Sequence, residues 1–145
     1  MPKGDIGSVI ETKDIVSNNF HTTYNCIKLA DGFYMMGYKD NDSDGHVVTF
    51  GITESTGDIT GTIDDWEFAN GDTTNSVKII KISGTMYAVV YSRSQAADRI
   101  DVRTFTVSDV GVITQSFIEA LILPVTNDEP QFGSDIIHIS GDVYA

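Results

Sequence analysis

The chain of 145 residues has one cysteine, three prolines and nine basic residues against twenty-one acidic ones, a formal net charge of -12. Each scarcity excludes something. A single thiol, Cys26, makes no intrachain disulfide, and no Cys/His spacing around it suggests a metal centre. Its stretch "YNCIKLA" reads as a strand with Cys26 as a small buried hydrophobe. The Lys and Arg residues are scattered, the closest group being Arg93, Arg99 and Arg103, so no basic stripe exists to neutralise phosphates. Nucleic acid and anionic membrane surfaces are therefore not expected partners, and the acidity bears mainly on solubility and self-repulsion. No apolar run approaches the roughly 20 residues that span a bilayer. The opening "MPKGDIGSVIETKD" has no apolar segment behind its lysine, so it is no secretory signal as it stands, and the compartment is left open. No segment carries a sustained 3.6-residue apolar period, and Pro2, Pro124 and Pro130 fall outside strands or at their ends.

What the chain does have is a repeat. "IKLADGFYMMGY" (Ile27 to Tyr38) lies over "IKISGTMYAVVY" (Ile80 to Tyr91) at an offset of 53 without a gap. "VVTFGI" (Val47 to Ile52) lies over "VRTFTV" (Val102 to Val107) at 55, and "GDIT" (Gly57 to Thr60) over "GVIT" (Gly111 to Thr114) at 54. The drift puts length changes in loops, where they are best tolerated. Both ends join the series. "KGDIGSVIETKDI" (Lys3 to Ile15) lies over "TGDITGTIDDWEF" at 53. "DIIHISGDVYA" (Asp135 to Ala145) lies over "KIIKISGTMYA" at 57, with seven of eleven positions identical.

Each period holds four strand-like pieces rich in Ile, Val, Tyr, Phe and Thr. In the second copy they run Val77 to Ile82, Met86 to Arg93, Arg99 to Ser108 and Val112 to Leu123, separated by "SGT", "SQAADR" and "SDVG". Four antiparallel strands recurring about every 50 residues resemble the blades of a β-propeller. The expectation is an all-β, propeller-like array of four-stranded blades whose ring one chain leaves incomplete; the alternative is a β-sandwich. The resemblance is to an architecture, since the WD dipeptide of WD40 blades, the Gly-Gly pair of kelch repeats and the Asp-box of sialidases are absent.

With strands labelled A to D, residues 1–18 form a trailing D, 19–70 and 71–124 one blade each, and 125–145 a further A and B. Open sheet edges at both ends invite other chains. Head-to-tail assembly, a dimer above all, would join them through Ile136, Ile137, Ile139 and Val143 at one end and Ile6 and Val9 at the other. The competing reading is a piece of a longer repeat protein.

Little chemistry stands out. "DNDSDG" (Asp40 to Gly45) resembles the first half of an EF-hand loop and the calcium hairpins of integrin-type propellers. By that likeness Asp40, Asp42 and Asp44 would ligate Ca2+. The pattern departs at Val48 and Gly51, where later acidic ligands are missing, and the bland reading is a solvated hairpin turn. Trp66 in "IDDWEF" stands among carboxylates and would stack on a sugar if exposed, or pack on an outer strand if not. His21, His46 and His138 form no metal spacing. Tyr34, Tyr87 and Tyr144 align, as do Tyr38 and Tyr91, which suggests packing between blades with a hydroxyl reaching a partner. No nucleophile elbow or phosphate loop is present, so no catalysis is expected. The leading functional expectation is a non-catalytic module recognising a protein or glycan; the alternatives are a fragment of a glycan-processing propeller enzyme and a purely structural repeat unit.

Overall fold

The computed structural model describes Thr12, Asp14, and residues 20–71, 74–93, 99–124, 136–140 and 143–144. All regular structure in it is β. The first sheet contains β1 (Phe20–Ala30), β2 (Phe33–Asp40), β3 (Gly45–Thr53) and β4 (Asp58–Ala69). The second contains β5 (Thr74–Ser83), β6 (Met86–Arg93), β7 (Arg99–Thr106) and β8 (Glu119–Pro124). β9 (His138–Ser140) and β10 (Val143–Tyr144) pair as a two-stranded sheet. Both four-stranded sheets are antiparallel meanders in chain order, and neither closes on itself. Ile6 and Val9 lie outside the described residues. Among those residues no helix is long and apolar enough to cross a membrane.

The two copies use the same local devices. Gly32 takes a φ of 76°, open to glycine at little cost, and its carbonyl accepts from Ile52 N at 2.8 Å. At the matching place in the second copy, Val107 N donates to Thr85 O at 2.9 Å. Strand alternation then sorts the side chains. Met35, Val47, Trp66 and Phe68 of the first sheet pack with Val77, Val89, Tyr91 and Phe105 of the second in one core. The opposite face of the first sheet carries a smaller cluster of Met36, Tyr38, Val48 and Phe50.

Close approach of the sheets depends on Gly37. A Cβ there would come within 2.8 Å of Val77 Cγ1 and 3.1 Å of Ile79 Cδ1, so β5 lies almost directly on the β2 backbone. Polar stitches hold the same contact. Asn25 Nδ2 donates to Ile79 O at 2.7 Å while Ile79 N donates to Asn25 Oδ1 at 2.9 Å. Thr49 Oγ1 donates to Gly111 O at 2.6 Å, and Asp64 accepts from Ile113 N at 2.9 Å.

The outermost strand of the second copy departs from expectation. Instead of one strand over Val112 to Leu123, a single bridge joins Val107 to Ile113 and regular pairing resumes only at Glu119. Thr114 N donates to Thr106 O and Ile118 N to Thr104 O, so four residues on one side advance against two on the other. That bulge re-aims a side chain, as bulges do. Phe117 turns inward, with its ring 4.8 Å from Trp66 and 6.2 Å from Phe68.

Cys26 also differs: it is exposed. Asn25, Ile27 and Leu29 take the face of β1 turned to the second sheet, so strand parity sends Cys26 the other way.

Candidate functional site

Among the described residues, the most concentrated charge chemistry lies on β6 and β7. Successive odd positions of β7 share one face, so Arg99, Asp101, Arg103 and Phe105 point together toward the inter-sheet core. Tyr91 pairs with Asp101, and Arg93 with Arg99, which brings a second strand's residues to the same spot. Asp101 is fully buried. Its Oδ2 accepts from Tyr91 Oη at 3.1 Å, Arg103 Nη2 at 2.9 Å and Arg99 Nη2 at 3.4 Å. Arg99 Nε stands 2.9 Å from Oδ1, and Arg93 Nε 3.9 Å from Oδ2. The Arg103 guanidinium also lies over the Phe117 ring at 4.7 Å, a cation–π contact that the bulge before β8 makes available.

The first copy builds a different cluster at the same place. Tyr38 pairs with His46 as Tyr91 pairs with Asp101, so His46 corresponds to Asp101 and Asp40 to Arg93. Here an imidazole is bracketed by carboxylates: His46 Nδ1 is 3.3 Å from Asp65 Oδ1, and Nε2 is 3.5 Å from Asp40 Oδ2. Tyr38 Oη donates to Asp65 Oδ2 at 3.0 Å, and its ring stacks on His46 at 4.8 Å. Burial and the neighbouring Asp65 push the Tyr38 phenol well above its usual range. Burial lowers the His46 pKa, but the Asp65 hydrogen bond and the charges of Asp65, Asp40 and Glu67 more than reverse this, leaving it above the ordinary imidazole value.

The acidic turn contributes to the second of these clusters. Asp40 Oδ1 accepts from Asp44 N at 2.9 Å, and Asp44 Oδ1 accepts from Gly71 N at 2.8 Å. Ser43, at a φ of 73°, sets the reversal, and its carbonyl accepts from Thr74 N. Asp40 is buried, Asp44 half-buried and Asp42 exposed. Among the described residues, no group of three or more His, Cys, Asp or Glu side chains is arranged to hold a metal ion.

Trp66 is 8% exposed and sits in the inter-sheet core against Phe68, Phe105 and Phe117. It has no open face on which a sugar would stack. Ile136 is half-buried and Ile137 is 59% exposed. Ile139 lies on β9 and Val143 on β10. Tyr144 Oη reaches Ile82 O at 3.3 Å, which brings the hairpin onto β5.

Sequence reasoning misses the Asp101 centre, although the alternation in "RIDVR" (Arg99 to Arg103) places Arg99, Asp101 and Arg103 on one face. Comparison with protein-family models, with curated proteins and with solved structures finds no match for this chain.

Proposed function

We propose that this chain is a non-catalytic interaction module built from propeller-type blades, and that it self-associates head to tail. The carrying observation is the way successive units meet. Asn25 and Leu29 of β1 bond to Ile79 and Lys81 of β5, the latter through Lys81 Nζ to Leu29 O at 3.3 Å. Tyr144 Oη then reaches Ile82 O on β5 at 3.3 Å. The first strand of one unit thus receives the first hairpin of the next, twice in series. Repetition of such a contact about an axis fans sheets radially, as propeller blades do, whereas a sandwich is complete after two. The β9–β10 hairpin would gain its remaining partners from a second copy, and the assembled surface would recognise a protein or a glycan.

The test is the mass in solution by light scattering over a concentration series. A stable dimer is expected, and Ile137→Asp, at an exposed apolar position of the hairpin, should reduce it to monomer. A folded wild-type monomer at every concentration would overturn the assembly.

A further inference from the structure

We propose that Asn70–Gly71 is a site of spontaneous modification, where the asparagine side chain loses ammonia through a cyclic imide, and that Asp44 restrains the reaction by holding the attacking nitrogen. This inference is independent of how the chain assembles.

The pair is the single Asn-Gly step of the sequence. Asparagine is a thermolabile residue, and glycine after it has no side chain to obstruct attack by its backbone nitrogen on the neighbouring amide. Both residues are exposed, and a Cβ placed on Gly71 would meet nothing within 4 Å. The pair lies outside the strands, between Ala69 at the end of β4 and Thr74 at the start of β5.

The chemistry needs only base and water. The Gly71 nitrogen loses its proton to hydroxide and attacks Cγ of Asn70. A C–N bond forms, and the side-chain nitrogen takes a proton and leaves as ammonia. Water then opens the imide at either carbonyl, giving aspartate or its β-linked isomer.

Asp44 acts on the first of these steps. Its Oδ1 accepts from Gly71 N at 2.8 Å, the length of a charge-assisted bond. A carboxylate at that distance opposes loss of the proton, since the nitrogen would become a second anion beside the first. Asp44 is placed in turn by its own N–H, which donates to Oδ1 of the buried Asp40 at 2.9 Å. The turn at Asp31–Gly32, where an aspartate side chain can cyclise by the same attack, carries the same device: Gly32 N donates to Glu54 Oε1 at 3.2 Å. Modification of Asn70 would set a new carboxylate near Asp44 and, in the β-linked isomer, lengthen the connection between the two sheets by one backbone carbon.

The experiment follows the full chain at neutral and mildly alkaline pH, with peptide mapping by mass spectrometry and quantification of β-linked aspartate. Asn70 should convert ahead of the exposed Asn41, which precedes Asp42, and ahead of Asn25 and Asn75. Conversion in the folded chain should be slower than in the same chain unfolded in urea. Asp44→Ala, which removes a hydrogen bond to a charged group, should speed it about tenfold or more while Asn25 and Asn75 keep their rates. Equal rates at Asn70 in the folded and urea-unfolded wild type would overturn the restraint whether or not the variant folds. Conversion of another asparagine first would overturn the site, and an Asp44→Ala rate equal to that of the wild type would overturn the role of Asp44.

Discussion

The Asp101 centre makes a demanding prediction about stability. Asp101→Asn retains the shape and one acceptor oxygen but removes the carboxylate that the three arginines share. Removing one partner of a buried ion pair typically costs about 3–5 kcal/mol, because the remaining charge stays buried without compensation. Asp101 is fully buried, but the guanidinium groups left behind keep 16–26% exposure and are partly screened by water, which points to the lower half of that range. At about 2–4 °C per kcal/mol for a chain of this size, Tm should fall by about 10 °C. Urea unfolding is convenient to follow because the single tryptophan, Trp66, is 8% exposed in the inter-sheet core and will redshift on unfolding. Arg103→Gln in the Asp101→Asn background should cost much less than in the wild type, since the residual repulsion is then relieved; the coupling should be about 1–3 kcal/mol. A loss below about 1 kcal/mol for Asp101→Asn, or additive costs in the double variant, would refute the view that the carboxylate neutralises the cluster.

Two further outcomes follow from the inter-sheet contact and from His46. Asn25→Ala removes both bonds to Ile79, leaving a backbone N–H and C=O of β5 without those partners, and should cost about 2–4 kcal/mol in urea unfolding; a change under about 0.5 kcal/mol would show that water replaces the amide freely. For His46, burial favours the neutral ring but Asp65, Asp40 and Glu67 outweigh it and raise the pKa. A raised folded pKa means that folding favours the protonated ring. Its contribution is full below the ordinary imidazole value of about 6.5 and is lost as pH rises through the higher folded value. Wild-type urea midpoints should therefore decline relative to His46→Gln as pH rises above about 6.5, and parallel curves would remove the premise.

The strand order is legible in the sequence because the repeat and its turn residues are local signals. β6 spans Met86–Arg93, as the periodicity between "SGT" and "SQAADR" indicates, and the two-residue reversals after β1 and β5 are marked by Gly32 and Gly84, both at positive φ. What escapes are features that depend on parity and on contacts between sheets. "YNCIKLA" reads as a strand with Cys26 inside, yet the Asn25–Ile79 bonds fix which side of β1 meets the second sheet, and Cys26 falls on the other. The segment from Val112 to Leu123 reads as one continuous strand, but Phe117 turns inward onto Trp66 and Phe68 and the regular pairing resumes only at β8.

The same break explains why the arginine centre is invisible in the sequence. Charged residues on a strand normally read as a solvated face, and "RIDVR" offers no local reason to think otherwise. Its burial is created at a distance, by Tyr91 on the neighbouring strand and by Phe117 arriving from the bulge to cover Arg103. Where Tyr38 meets His46 among carboxylates, Tyr91 meets Asp101 among arginines, at the same paired position of the second and third strands.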